Sequence, residues 1–426
     1  MKPETSPTRA FARPLSSFES YFAVTSATIW VTDEVVGPLD LDRLRAAWDL
    51  VRRAHPVLTA RLVPTDGDEE SVAGLRRLEL VVPARPETAP IGRIDDETLT
   101  LGAGGPVARL SVGTDPTRVA LACHHAIADG RLVQFWHDEL WSYYTELAAG
   151  RTPAIRPHPV PRSPEALLGE RGVVRTAGPP NRLGHATPTN LPSGRAAPPV
   201  RWRQVRLRAA DTTALLATAR RRGQTVHSLV AGVAGVATRR FLPIEGDRPI
   251  DINVVSPVDI RPRLDPPVPV WAGTNILGMA NAVVAVDPGS DPADVGAVVT
   301  GQLAADLAAG VVHQSFLHMA DTVDRPRPLV PRTITTNLGV LAPTPTPLET
   351  TITDLRYALR FDWAPLVAMM TAAGHTDHPL LRTSVHMIHT RAGRLGVDFS
   401  TSLSEERADR YAAEFEALLL GLTTPG

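Results

Sequence analysis

Lysine is almost missing from this 426-residue sequence. Lys2 is the only lysine, so nearly all of the 44 Lys+Arg residues are arginines. A pyridoxal Schiff base and a phosphate-binding P-loop both require a lysine amine within the fold. Because Lys2 lies at the very start of the sequence, the composition excludes these two kinds of site.

Cysteine is equally scarce, since Cys123 is the only one. A single thiol excludes an internal disulfide, a thiolate zinc cluster and an iron–sulfur centre. Cys123 lies two positions before His125, which raises the alternative of a Cys–His nucleophile. Side chains two apart on one strand face are roughly 6.5–7 Å from each other, too far for a hydrogen bond. We therefore expect Cys123 to pack in the core.

Excess positive charge and long apolar runs are also lacking. The 44 Lys+Arg residues balance 45 Asp+Glu, a net charge of −1, which argues against nucleic acid as a partner. No apolar run approaches the roughly 18 residues of a membrane span, and residues 1–14 do not resemble a secretory signal. No G-x-S-x-G elbow of a serine hydrolase occurs. We expect a cytoplasmic protein without a transmembrane segment.

A stretch rich in proline and glycine interrupts the chain near its middle. Proline lacks an N–H donor and glycine costs backbone entropy, so this stretch is a poor core helix or strand. It predicts a linker at 176–200 between an N-terminal lobe at 1–175 and a C-terminal lobe at 201–426. Both lobes mix strand and helix patterns, which predicts an α+β architecture with mixed sheets flanked by helices.

Hydrophobic periodicity predicts the elements of both lobes. Apolar residues at helical spacing predict helices at Leu41–His55 and Leu132–Ala149. Further helices are predicted at Val226–Phe241, which is rich in small apolar residues, at Asp294–Ala309 and at Ser404–Leu420. Asp211 is expected to cap a further helix. Arg118–His125 is apolar on both faces and is predicted to be a central strand. Further strands are predicted at Ser26–Val31, Leu78–Val82, Val107–Val112, Trp202–Leu207, Ile250–Val258, Ile352–Leu359, Leu366–Thr371, Thr383–Thr390 and Leu395–Phe399.

The segment most informative about chemistry is H-H-x-x-x-D-G, which runs from His124 to Gly130 between a predicted strand and a predicted helix. An imidazole can accept a proton near neutral pH and return it later, provided that its ring is held in one orientation. Because side chains alternate along a strand, only one of His124 and His125 should face a substrate. Asp129 can fix the turn or pair with an arginine.

The motif HHAIADG resembles the HHxxxDG signature of the condensation-domain superfamily, which includes chloramphenicol acetyltransferase-like enzymes. Within that group the sequence most resembles the phthiocerol dimycocerosyl transferases, the polyketide-associated acyltransferases. The resemblance runs nearly end to end. It includes PLSSFESYF, HPVLTARL, SPVDIRPRLDPPV at Ser256 to Val268, GTNILG at Gly273 to Gly278, and LAAGVVHQS at Leu307 to Ser315.

This resemblance implies a fold of two chloramphenicol acetyltransferase-like lobes, V-shaped with a central tunnel, and a crossover segment near 333–350. It also implies that His125 is the general base. Asp129 is expected to pair with Arg261 and so to tie the two halves together, Gly130 to give the turn room, and His124 to be structural. The same resemblance suggests a substrate-tunnel position for Asn337 in TTNLG and for Asn275 in GTNILG.

The implied function is an acyl transfer from a thioester donor to an alcohol, forming an ester in lipid or polyketide biosynthesis. The donor would be carried by an acyl carrier protein, a polyketide synthase carrier domain or coenzyme A. No metal or redox cofactor and no oligomer are expected. Two alternatives remain open: an amide-forming, free-standing condensation enzyme and a non-catalytic module that docks a carrier protein.

Two histidine pairs, His375-x-x-His378 and His386-x-x-His389, could suggest metal ligands. Zinc sites require three or four ligands with a defined second shell, and neither pair has partners at a recognisable spacing. We expect these histidines to be core or surface residues.

Overall fold

The structure, a computed structural model, describes residues 9–65, 77–85, 89–94, 101–102, 105–114, 117–178, 200–242, 244, 246–319, 331–362 and 384–424. Most of the predicted linker 176–200, the predicted strand Leu366–Thr371, and both His375 and His378 lie outside these residues. The chain forms two compact units. The first contains the described residues of Met1–Val173, Arg261–Ile276 and Thr344–Pro365, and the second those of Val174–Ile260, Leu277–Pro343 and Leu366–Gly426.

The described residues form fourteen strands and nine α-helices. The strands are β1 Arg9–Pro14, β2 Thr28–Val36, β3 Arg61–Pro64, β4 Leu78–Pro83, β5 Gly92–Arg93, β6 Ala108–Val112, β7 Arg118–His124, β8 Arg201–Arg206, β9 Ile250–Asp259, β10 Leu277–Val286, β11 Arg332–Val340, β12 Thr351–Arg360, β13 Ser384–Arg391 and β14 Arg394–Thr401. The helices are α1 Ser17–Val24, α2 Leu41–Ala54, α3 Gly130–Ala148, α4 Pro164–Gly169, α5 Ala209–Arg221, α6 Val226–Phe241, α7 Pro292–Ala308, α8 Val311–Leu317 and α9 Glu405–Gly421.

The first unit contains a five-stranded sheet in the order β12-β2-β7-β6-β5 and a three-stranded sheet in the order β1-β4-β3. Their pairings are antiparallel except that of β5 with β6. β7 lies in the middle of the larger sheet and is buried along most of its length, so the predicted central strand is confirmed. β12 reaches this sheet from the second half of the sequence and pairs with β2.

Helices α2 and α3 pack against each other in the first unit, and α3 also contacts β2. A buried ion pair lies at the contact between α3 and β2. His137 Nε2 donates to Asp33 Oδ2 at 2.8 Å, and Trp141 Nε1 donates to the same oxygen at 2.8 Å. Burial lowers the pKa of His137, but the charge of Asp33 and hydrogen bonds to Asp138 and Asp33 outweigh it and raise this pKa to about 9.

The second unit is built on a six-stranded sheet in the order β10-β9-β11-β13-β14-β8. β11 runs parallel to both β9 and β13, and the other pairs are antiparallel. The described residues of each unit therefore combine a mixed sheet with packed helices, which confirms the predicted α+β class. His386 and His389 on β13 are buried in this unit, His386 against Phe399 and Phe415.

Two glycines allow α6 and α7 to approach closely. A Cβ placed on Gly232 of α6 would lie 1.7 Å from the Pro292 carbonyl oxygen, and one placed on Gly296 of α7 would lie 2.1 Å from the Ser228 carbonyl oxygen. Real Cβ atoms do not approach backbone oxygens so closely, because van der Waals repulsion forbids it. The small residues that characterise the predicted helix Val226–Phe241 thus serve a helix–helix contact.

The five predicted helices are confirmed to within about two residues at each end. The prediction that Asp211 caps a helix is wrong, because α5 begins at Ala209 and Arg208 occupies the N-cap position. Asp211 lies in the first turn and pairs with Arg208 instead. Among the described residues no single helix combines the length and apolarity of a membrane span. Helices α7 and α8 reach that length and apolarity only when taken together, as a pair bent by 74°.

Candidate active site

The H-H-x-x-x-D-G segment connects the end of β7 to the start of α3. The main chain of its two histidines is fixed on both sides, because His124 N donates to the Val107 carbonyl at 2.8 Å and His125 N donates to the Ala27 carbonyl at 2.7 Å. Ile127 N then donates to the His124 carbonyl at 3.0 Å and forms the turn. The sheet therefore holds the backbone from which both imidazoles project.

The ring of His125 is held in one orientation. Its Nδ1 lies 2.8 Å from the Ala128 carbonyl oxygen. A carbonyl oxygen only accepts, so the neutral ring carries its hydrogen on Nδ1 and keeps a lone pair on Nε2. The ring packs against Phe22 at a centroid distance of 4.2 Å. No described residue forms a hydrogen bond with Nε2, which leaves this nitrogen available to a reactant.

Burial favours the neutral form of His125. The residue is only 7% exposed, and this burial lowers the pKa of its imidazole below the ordinary 6.5. The hydrogen bond to Ala128 and the negative charge of Asp129 raise the pKa and so partly oppose the effect of burial. His125 is therefore a neutral imidazole at neutral pH, in the protonation state that a general base requires.

His124 is the more deeply buried of the two histidines, with no exposed surface. Its Nδ1 accepts a hydrogen bond from Ala126 N at 3.1 Å, which places the ring inside the turn. Burial, together with the neighbouring His125, lowers the pKa of His124 to about 3. Cys123, the residue before it, is buried in the core as expected.

Asp129 joins helix α3 to the segment Arg261–Ile276 through one carboxylate. Its Oδ1 accepts from Arg131 N at 3.0 Å and Leu132 N at 3.1 Å, so it forms the N-cap of α3, which begins at Gly130. Its Oδ2 accepts from Arg261 Nη2 at 2.7 Å. Because Arg261 belongs to the first unit, this pair closes within that unit.

Three consecutive residues of the segment that follows Arg261 each contact a different part of the site. Thr274 Oγ1 donates to Glu19 Oε1 at 2.7 Å, and Ile276 N donates to Asp129 Oδ2 at 2.9 Å. Between them, the Asn275 amide lies 3.1 Å from His125 Nδ1, and its Nδ2 donates to the His125 carbonyl at 3.4 Å. Residues 274–276 thus support the loop His124–Gly130 from one side.

Helix α1 supports the loop His124–Gly130 from another side, a role that the sequence did not predict. Glu19 is fully buried, forms bonds of 2.7 Å with both terminal nitrogens of Arg13, and completes a capping box with Ser16. One turn later on the same helix, Phe22 contacts the ring of His125. The capping-box pattern S-x-x-E at Ser16–Glu19 was the sequence signal for this helix.

Asn337 is the one predicted site residue placed elsewhere. It lies in the second unit, on β11, where its Oδ1 accepts from Gly339 N at 2.8 Å beside an irregularity in the strand register. The structure therefore brings His124, His125, Asp129, Gly130, Arg261 and Asn275 together in the first unit, whereas Asn337 belongs to the second.

Comparison with known sequences identifies relatives across most of the chain. A profile of the phthiocerol/phthiodiolone dimycocerosyl transferase C-terminus matches residues 196–400. The phthiocerol/phthiodiolone dimycocerosyl transferase of Mycobacterium leprae is 30% identical over 366 residues, which covers 81% of this chain and 85% of that protein. The protein of the same name from Mycobacterium ulcerans is 28% identical over 359 residues, again covering 81% and 85%.

Solved structures with the same architecture match nearly the whole chain. The polyketide synthase associated protein 5 from Mycobacterium tuberculosis superposes with a TM-score of 0.77 at 25% identity, covering 99% of this chain and all of that one. The first condensation domain of the CDA synthetase gives a TM-score of 0.65 at 16% identity and covers 98% and 97%. The second match concerns the fold alone.

The match to the Mycobacterium leprae protein covers 81% of this chain, and the profile match covers most of its C-terminal half. This relationship supports an enzyme rather than a non-catalytic docking module. The chain therefore belongs to the phthiocerol/phthiodiolone dimycocerosyl transferase family and is an O-acyltransferase.

Proposed function

We propose that the chain moves an acyl group from a thioester donor to an alcohol by direct attack, with Nε2 of His125 as the general base. The proton of the acceptor hydroxyl passes to Nε2 while its oxygen attacks the thioester carbonyl carbon. The C–O bond of the ester forms and the C–S bond breaks. The proton on His125 then passes to the leaving thiolate, which restores the neutral ring.

The observation that carries this proposal is the hydrogen bond between His125 Nδ1 and the Ala128 carbonyl. It fixes both the tautomer and the direction of the ring, so Nε2 does not have to be oriented during the reaction. A base positioned in this way contributes roughly 10²–10⁴-fold to the rate.

Two neighbouring groups offset part of the cost of burying the imidazolium that forms during the reaction. The Ala128 carbonyl accepts from Nδ1 in both protonation states, and the negative charge of Asp129 raises the pKa of His125. Arg261 holds that carboxylate through a bond of 2.7 Å and so keeps it in place. Asp129 and Arg261 thus act as positioning residues, since neither is required to touch a reactant.

The donor in this proposal is an acyl thioester on an acyl carrier protein, a polyketide synthase carrier domain or coenzyme A. The name of the Mycobacterium tuberculosis structure, a polyketide synthase associated protein, supports a polyketide-derived donor. The names of the mycobacterial relatives, which are transferases for phthiocerol and phthiodiolone, support an alcohol acceptor. We assign the reaction to a monomer in the cytoplasm, with no metal or redox cofactor taking part in the transfer.

Substitution of His125 tests the proposal. Purified wild-type protein and the His125→Ala variant are each given a saturated acyl-CoA as the donor. The acceptor is a primary alcohol in one reaction and a primary amine of equal chain length in the other. We expect kcat/KM for ester formation to fall by at least about 10²-fold in the variant. His313→Ala, on α8 in the second unit, serves as the control.

Each outcome of this assay is informative. Undiminished transfer by a folded His125→Ala variant would contradict the role of the base. Mass spectrometry of the product distinguishes the ester from the amide, so an enzyme that acylates only the amine would replace the proposal with a free-standing condensation activity.

A further inference from the structure

A second cluster of titratable side chains lies in the first unit, outside the site already described. It consists of His55, Glu139 and His158, each of which offers a ligand atom, and these atoms all lie within 4.8 Å of one another. We infer that this cluster binds one zinc ion through two imidazole nitrogens and one carboxylate oxygen.

The three residues come from separate elements that the fold brings together. His55 directly follows α2, and Glu139 lies on α3, the helix packed against α2. His158 lies on a segment without helix or strand, and its N–H donates to the Ala54 carbonyl at 2.8 Å, next to His55. The backbone therefore anchors His158 at the cluster independently of its side chain.

The cluster is shielded from bulk water on several sides. His55 is almost fully buried, whereas 21% of the Glu139 side chain is exposed. The ring of Trp271 lies 4.8 Å from that of His158, and the ring of Phe135 lies 5.6 Å from that of His55. Partial burial strengthens the attraction between a divalent cation and a carboxylate, while the exposed side leaves a path of entry for the ion.

The donor set selects zinc among common divalent cations. Two imidazoles and one carboxylate match the three protein ligands of an open tetrahedral zinc site, with water in the fourth position. Magnesium and calcium prefer sites made of oxygen ligands only. Imidazole nitrogen favours zinc and its neighbours in the transition series over both.

Binding requires a small adjustment of one ring. The imidazoles of His55 and His158 are stacked, with planes 8° apart and centroids 4.8 Å apart. Tetrahedral zinc bonds of about 2.1 Å place ligand atoms about 3.4 Å from each other, and the ion lies in the plane of each imidazole. We assign this adjustment to His158, which is only partly buried and lies outside regular structure, and its rotation would change the contact with Trp271. His55 and Glu139 are already in contact.

The bound ion would link two elements that also support His125. Glu139 lies on α3, whose N-cap is Asp129. Trp271, which packs on His158, lies three residues before Thr274 in the segment that contacts the loop His124–Gly130. We therefore assign the zinc ion a structural role that stiffens the support of the site and adds thermal stability.

Isothermal titration calorimetry of tag-free, chelator-treated protein with Zn²⁺ tests the inference, with thermal unfolding as a second readout. We expect one ion per chain and a higher Tm with zinc. His158→Ala and Glu139→Gln are each expected to weaken zinc binding by at least tenfold. Loss of a residue that only hydrogen-bonds to a metal ligand already costs about 10–100-fold in metal affinity, and these variants change the ligands themselves. Both side chains are partly exposed, so these variants are preferred to a change of the buried His55. His313→Ala, outside the cluster, should bind as the wild type does.

Zinc binding that is unchanged in His158→Ala and Glu139→Gln would overturn the inference, as would the absence of stoichiometric binding by the wild type. Equal loss of affinity in His313→Ala would also overturn it, because the ion would then not be specific to the cluster. An equally tight titration with Mg²⁺ would reject the assignment to zinc.

Discussion

Asp129 and Arg261 form an ion pair of 2.7 Å in which the side chains are 0% and 4% exposed. The two residues are separated by 132 positions in the sequence. The carboxylate also accepts three backbone N–H groups, from Arg131, Leu132 and Ile276. A buried charge with this number of donors is costly to disrupt, because the remaining partner stays buried without compensation.

Asp129→Ala should therefore lower stability as well as activity. The substitution removes the cap of α3 and leaves the Arg261 guanidinium without its carboxylate. Breaking a buried ion pair in this way costs about 3–5 kcal/mol. Urea unfolding should show a free-energy loss of this size, and Asp42→Ala, which removes an exposed ion pair with Arg45 on α2, should lose less than about 1 kcal/mol. Equal losses of unfolding free energy in the two variants would show that the buried Asp129–Arg261 pair is no more costly to break than an exposed ion pair.

The pH dependence of transfer should report on His125. Because burial lowers the pKa of its imidazole, activity should rise at a pH below the ordinary 6.5. Asn275→Asp places a carboxylate beside Nδ1 and favours the imidazolium, so the rise in kcat/KM should move to higher pH. The pH–rate profiles of wild type and variant measure this shift.

Asn281→Asp is the matched control for that experiment, since Asn281 lies on β10 in the second unit, where its Oδ1 accepts from Asn253 Nδ2 at 3.1 Å. Its profile should coincide with that of the wild type. If Asn275→Asp left the profile in place, or if Asn281→Asp moved it equally, Asn275 would not be coupled to the base.

The buried pair of His137 and Asp33 predicts a pH-dependent stability. The folded pKa of His137, about 9, exceeds the ordinary 6.5, so its stabilising contribution is complete below pH 6.5 and is lost as the pH rises through 9. The free energy of unfolding of wild type minus that of His137→Gln should therefore shrink between pH 6 and pH 10. Urea unfolding at several pH values measures this difference, and a difference that grows with pH would show that His137 is neutral in the folded protein.

Glycine substitutions in α6 and α7 should have opposite effects. Gly232→Ala places a Cβ against the Pro292 carbonyl and forces the helices apart, at a cost of typically 1–3 kcal/mol. Gly301→Ala on α7 meets no atom within 4 Å and should gain up to about 1 kcal/mol from helix propensity. Thermal unfolding of Gly232→Ala and Gly301→Ala measures the two effects. A Gly232→Ala protein as stable as the wild type would show that α6 and α7 can move apart without loss of stability.

The sequence was most informative where one short segment carries several cues together. The HHxxxDG motif and its likeness to known enzymes led to His125, Asp129 and Arg261, and the structure brings these residues together. Amphipathic periodicity also located α2 and α3, because a repeating apolar face is a local property.

The remaining features depend on contacts that no local pattern encodes. Glu19 and Phe22 reach the site from a helix about 100 residues before His125, and the pairing of Arg13 with Glu19 is visible only in three dimensions. Strand β10 was missed because half of its sequence, LGMANAVVAV, consists of alanine, glycine and asparagine, which have low strand propensity. Asp211 was misassigned as a cap because several nearby positions offer a comparable start to the helix.

The segment Arg261–Ile276 and strand β12 have a consequence for how the protein is made. Both complete the first unit, yet ribosomes synthesise them after most of that unit has emerged. A nascent chain that ends near residue 175 therefore lacks an edge strand of the five-stranded sheet and the arginine that neutralises Asp129. The N-terminal part must wait for some 185 further residues before it reaches its final form, and this delay prolongs its exposure to chaperones and proteases.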